Sequence, residues 1–141
     1  MSERDGPSIL WVDPNRISVA RYEDELTAWG ANVCFTTDVD EFMRVAVDHS
    51  RTWNLFITEM VMPPGTVFNI HDPDLLGGMA TGRVVIRELE RMYPHTSRLL
   101  FTHWRDLVPD WNDNDRGLYA LAKSDYRDPR RFVEMVGRMI K

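Results

Sequence analysis

Along this chain, short continuous apolar runs alternate with longer stretches whose apolar positions recur at helical spacing. SILWV at 8–12 is one such run, suited to a strand buried on both faces. It ends at Asp13-Pro14, a helix-start signal: aspartate can accept from the first free amides, and proline in the first turn lacks only an N–H that would be unpaired anyway. The helix that follows carries Val19, Tyr22, Leu26 and Trp29 at helical spacing, with Gly30 as its stop. ANVCFTT at 31–37 reads as the second strand. Val39, Phe42, Met43, Ala46 and Val47 then form one apolar stripe on a second helix.

NLFIT at 54–58 gives a third strand, running into the break Pro63-Pro64-Gly65. A third helix is predicted from Gly78 or Met79 to Tyr93, with Ile86, Leu89 and Tyr93 turned inward and Pro94 closing it. RLLFT at 98–102 is the fourth strand. HWRDLVPDWNDNDRG follows, and its proline and its cluster of Asp and Asn predict a short or irregular helix there. LYALA at 118–122 is the fifth strand, after which Asp128-Pro129 repeats the cap signal before a helix bearing Phe132, Val133, Val136 and Ile140. Five strands apolar on both faces, each followed by a helix, predict an α/β fold with a parallel sheet covered on both sides. Right-handed crossovers make a doubly wound, flavodoxin-like (βα)5 arrangement with strand order 2-1-3-4-5 the simplest topology. Functional groups in such sheets gather at the carboxyl ends of the strands, which selects Asp13, Glu59, Thr102 and Lys123.

Composition narrows the function classes. With 141 residues and 43% hydrophobic content, the chain reads as one domain spanning 1–141, able to bury its core without disulfides or a structural metal. The one cysteine, Cys34, lies among apolar neighbours and is expected to be a buried, inert thiol. No apolar run approaches the ~20 residues that cross a bilayer, and MSERDGPS lacks the features of a signal peptide, so a soluble, cytoplasmic protein without membrane contact is expected. A net charge of −5 argues against binding nucleic acid through its phosphates, and RDPRR at 127–131 reads as the solvated start of the last helix. DPNRIS after the first strand offers no Gly-rich phosphate cradle, and Cys34 and the four histidines form no nucleophile–base arrangement. A binding module is expected, not an enzyme.

The stretches ILWVDPN, NLFITEMVMPPG, LLFTHW and LYALAKS, in this order and at this spacing, resemble the receiver domain of two-component response regulators over nearly the whole chain. The resemblance implies an aspartate at the end of strand three that accepts a phosphoryl group, two acids after strand one that help hold Mg2+, a Thr or Ser ending strand four and a Lys ending strand five. Glu59 stands at the phosphoacceptor position, Asp13 matches the first acid, and Thr102 and Lys123 match the other two. Pro14 replaces the second acid, Ser124 the proline that usually follows the lysine, and His103 the small residue that usually follows the threonine. Mg2+ requires near-octahedral oxygen ligands, so Pro14 removes one outright, and Asp13 and Glu59 remain as a weak metal pair. The extra methylene of Glu59 displaces its carboxylate by more than ~1 Å, an error that costs on the order of 10²-fold in a reaction governed by positioning. Glu59 therefore reads as a permanent negative charge beside Lys123 and Thr102, or as no more than the partner that satisfies Lys123 at a strand end. For Asp13, helix capping is the leading reading ahead of metal binding, and a solvated loop residue is an alternative for His103.

PPGTVFNIHDPDLLGGMATG holds about a dozen residues more than the receiver pattern needs. Its apolar side chains Val67, Phe68, Ile70, Leu75 and Leu76, within an extended loop at 64–78, are expected to cover the pocket, to meet a protein partner, or to extend the core. His71, Asp72 and Asp74 match no standard metal spacing, and DWNDND at 110–115 lacks the glycine and glutamate of a calcium loop and reads as a turn. Receiver domains carry a switch aromatic where this chain has Ala120, and Tyr119 should face the other side of the sheet. These features weigh against phosphorylation-driven pairing through the last two helices and leave a constitutive homodimer open. The expected function is signalling by protein–protein contact independently of phosphorylation. A residual Mg2+-dependent phosphoacceptor in a phosphorelay, or a regulatory segment of a larger protein, are the alternatives.

Overall fold

The computed structural model describes residues 6–109, 111–113 and 115–140. Five parallel strands, β1 (Ser8–Val12), β2 (Asn32–Thr36), β3 (Leu55–Thr58), β4 (Ser97–Thr102) and β5 (Leu118–Ala122), form one sheet in the order β2-β1-β3-β4-β5. The register sets Trp11 beside Phe35 on one side and Ile57 on the other. Because side chains alternate across a strand, the apolar runs feed two cores at once. Ile9, Trp11, Leu99 and Phe101 pack under α1 (Arg16–Trp29) and α4 (Pro129–Met139). Leu10, Val12 and Phe56 pack under α2 (Val39–Ala46) and α3 (Thr81–Met92). The first core is aromatic: the Phe101 and Phe132 rings lie 4.4 Å apart, and Tyr22 stands edge-on to both at 5.2 Å. Each such side chain, fully enclosed, contributes about 1.5–3 kcal/mol. Tyr119 joins this core and Ala120 the opposite face, as their alternation predicts.

Several expectations are corrected. Asn15, not Asp13, caps α1 by accepting from the Ser18 amide, so the helix opens two residues later than Asp13-Pro14 suggests. Trp29, the last residue of α1, is half-exposed and lies across Gly137 of α4 instead of pointing into the core. Val47 follows α2 as its C-cap and is exposed, because the helix ends before the stripe does. Cys34 is partly exposed, since β2 is an edge strand with a thinner cover. Helix α3 begins at Thr81, two to three residues later than read from the sequence. The fourth crossover does carry the short, irregular helix expected of it, a 3-10 turn at Arg105–Leu107 among the described residues. Pro109 removes an amide donor there, and the acidic and Asn side chains compete for the backbone. Asp110 and Asn114 of DWNDND lie outside the described residues, while Asp113 bridges antiparallel to Leu118.

The extended loop divides by burial. The Asp40 carboxylate of α2 accepts from the Thr66 amide at 2.8 Å, the Thr66 hydroxyl at 2.9 Å and the Val67 amide at 3.1 Å, and these bonds hold its pKa below the ordinary value. Leu75 is fully buried and Phe68 packs against the α2–α3 core, so these two extend the core and Leu75 offers no contact surface. Val67, Ile70 and Leu76 are exposed. Asp74 pairs with Arg87 at 2.8 Å. Among the described residues, no group of three metal-capable side chains is present, and no helix is long and apolar enough to cross a membrane.

Candidate functional site

Strand pairing brings the predicted residues together. The Asp13 amide donates to the Thr36 carbonyl and the Glu59 amide to the Val12 carbonyl, which sets the two acids side by side where β1 and β3 end. Lys123 follows β5 directly and reaches back across the strand ends. Its Nζ lies 2.7 Å from Asp13 Oδ2 and 3.2 Å from Glu59 Oε1, and 5.9 Å from the centre of the Phe101 ring. Asp13 and Glu59 are 2% and 5% exposed, so this is a charged triad almost without water.

The remaining carboxylate oxygens are also engaged. Asp13 Oδ1 accepts from the Asn15 amide at 2.9 Å. Glu59 Oε1 accepts a second bond, from the His103 amide at 3.1 Å, and Oε2 accepts from the Met60 amide. Burial raises the Asp13 pKa, opposed by the charge and hydrogen bond of Lys123 and by the Asn15 amide, with the neighbouring Glu59 adding to the rise. Thr102 is fully buried, but its hydroxyl accepts from the Trp104 amide at 3.1 Å; it stabilises its own turn and makes no bond to Glu59. The long arm of Glu59 thus meets the amide after Thr102, not the threonine hydroxyl.

These residues do not fit Mg2+, which takes oxygen ligands in near-octahedral array. All four carboxylate oxygens already have donors, the Lys123 ammonium lies between the acids, and Pro14 supplies no oxygen. A metal there would have to displace the lysine.

Above the triad opens a cleft of ≈ 730 Å³ whose walls include Asn15, Ser18, Arg21, His103, Trp104, Ser124 and Arg127. His103 lies at its exposed rim, with its backbone turned to Glu59. Arg21, Trp104 and Arg127 were missed as site residues: Arg21 belongs to a helix read only for its apolar stripe, and Arg127 to a charge run read as solvated. The amides of Met60 and His103 carry no sequence signal, because any residue but proline supplies them. Of the loop residues singled out, none lines this cleft.

No protein-family model matches the chain, and no curated protein matches it. Solved structures do. The receiver domain of the hybrid histidine kinase CckA is 17% identical, with a TM-score of 0.67 over 95% of this chain and 99% of that one. The response regulator TrrA from Thermotoga maritima, in complex with Mg2+ and BeF, is 19% identical, with a TM-score of 0.65 over 95% and 99%. A structure of the histidine kinase ThkA in complex with TrrA matches at 17% identity and a TM-score of 0.66, over 96% and 99%. At these identities the likeness is one of architecture, and the chain has the flavodoxin-like fold of response-regulator receiver domains.

Proposed function

We propose that residues 1–141 act as one receiver-like signalling domain that works by contact with a protein partner and without phosphorylation. The observation that carries this reading is the placement of Glu59. Its carboxylate takes up the Lys123 ammonium and the amides of Met60 and His103, donors that would otherwise face an anion at the end of β3. A fixed carboxylate so held supplies the negative charge that a transferred phosphoryl group would supply for a time. Phosphoryl transfer rests on positioning and on charge neutralisation by metal, and neither a suitably placed acceptor nor a metal-fitting donor set supports it in this chain. TrrA is found with a histidine kinase, which makes a signalling protein the natural class of partner.

The test is an amide NMR titration with Mg2+, then with beryllofluoride, a mimic of the acyl phosphate. Signals near Glu59, Thr102 and Lys123 should stay in place at both steps. Shifts confined to that cluster and saturating at low-millimolar Mg2+ would overturn the proposal and restore a phosphoacceptor switch.

A further inference from the structure

The cleft above the triad has two levels of different charge character. Its floor is fully hydrogen-bonded: the carboxylates of Asp13 and Glu59 face Lys123 and three backbone amides. Its rim is not. Arg21 rises from α1, Arg127 from the connection between β5 and α4, and both are exposed. Among the described residues, Arg21 has only the Tyr22 hydroxyl at 3.3 Å and the Tyr22 ring, and Arg127 has no ion-pair partner. In the other arginine-rich groove, beside α3, two of the three arginines are paired, Arg87 with Asp74 and Arg116 with Glu90, while Arg83 lies over the Trp111 ring. Trp104 lines the cleft together with the Arg21 and Arg127 guanidinium groups. Trp104 is 49% exposed, and Ile17, one helical turn before Arg21, is 90% exposed.

Exposed Trp and Arg set around a concave floor are the residue types that dominate binding energy in protein interfaces. Guanidinium groups recognise carboxylates through two parallel hydrogen bonds, and removing such a pair from water beside a tryptophan strengthens it. We infer that this rim docks an acidic segment of a protein partner, its carboxylates on Arg21 and Arg127 and an adjoining apolar side chain on Trp104 and Ile17. The inference rests on the contact function proposed above and names the partner chemistry for that site. Since the whole chain carries −5, an acidic partner is repelled from most of its surface and steered to this positive rim, which fixes orientation.

The test uses the full chain, isotope-labelled, and a short peptide of alternating Glu and Phe, with the Gln–Phe peptide and inorganic phosphate as controls. The Glu–Phe peptide should shift the signals of Ser18, Arg21, His103, Trp104 and Ser124, less so at high salt, while the Gln–Phe peptide leaves them in place. In Arg21→Ala/Arg127→Ala the affinity should fall at least about tenfold with the spectrum otherwise kept, since both side chains are exposed. An equal response to both peptides, no response, unchanged affinity in the double variant, or saturation by phosphate alone would each overturn the inference. So would shifts that follow protein concentration without peptide, which would place a second copy of the chain on the rim. A response to Mg2+ and beryllofluoride would sink the phosphorylation-independent reading and leave the docking surface standing; loss of peptide binding without a metal response would do the reverse.

Discussion

Asp13 and Glu59 share one ammonium between them, so with both acids ionised the cluster buries one negative charge that no cation balances. Glu59 spreads its charge over two amides as well as the lysine, whereas Asp13 has one amide and the lysine. Burial is consequently the larger influence on Asp13 and pushes its pKa above the ordinary 3.8. The sign of the linkage follows. A carboxyl whose pKa is higher folded than unfolded gives stability that is fully present below the unfolded value and is lost as pH rises through the folded one. Asp13→Asn removes this titration and keeps an oxygen for the Asn15 amide. The melting temperature of the native protein minus that of Asp13→Asn should therefore fall as pH is raised from below 3.8, then level off. A difference that rises over the same window would show that the attraction of Lys123 outweighs burial. Measuring a difference matters, because Asp40, Asp48 and Asp128 have lowered pKa values and give the native curve the opposite slope.

Helix α3 sets the back wall of this arrangement through one residue. A Cβ on Gly82 would come within 2.8 Å of the Met60 Cα and closer still to the Glu59 carbonyl, so the helix start lies against the backbone that carries the acid. The Gly82 amide donates to the Met60 carbonyl at 2.9 Å, and the Thr81 hydroxyl to the Met62 carbonyl at 2.6 Å. Backbone cannot yield as a side-chain tip can, so Gly82→Ala should cost about 1–3 kcal/mol, read by chemical unfolding, and should shift the Met60 and His103 amide signals. Unaltered stability would mean that α3 can draw back from β3. Elements whose signals are local were legible in the sequence: LYALA matches β5 residue for residue, and Asp128-Pro129 does cap α4. Asp13-Pro14 carries the same signal, yet tertiary demand took Asp13 for Lys123 and left capping to Asn15. The start of α3 was read too early because Gly78 itself adopts a positive φ of 102°, which no helix can continue through.

At the scale of the whole molecule, the strand order and the gathering of Asp13, Glu59, Thr102 and Lys123 followed from periodicity and crossover handedness alone. The hydrogen bonds that decide what the gathered residues can do did not, because they depend on backbone amides. If the chain is silent toward Mg2+ because of two side chains, and not because the scaffold has lost the geometry, reversing both should restore the response. In Pro14→Asp/Glu59→Asp, the exposed Pro14 position gains a carboxylate beside Asp13, and the shortened acid withdraws by ~1 Å from the His103 amide. Lys123 is then left facing three carboxylates, and a divalent cation becomes the better neutraliser. Ligand binding to the folded state alone adds about 2.7 kcal/mol at a hundredfold excess over Kd. Mg2+ should therefore raise the melting temperature of the double variant and leave that of the native protein unchanged. The single variants divide the cause: a response in Pro14→Asp alone would make the lost ligand decisive, and one in Glu59→Asp alone would make the long carboxylate the block. No response in any of the three would mean that the strand ends themselves have moved apart from a metal-binding geometry, and that the silence of this site toward Mg2+ is a property of the scaffold.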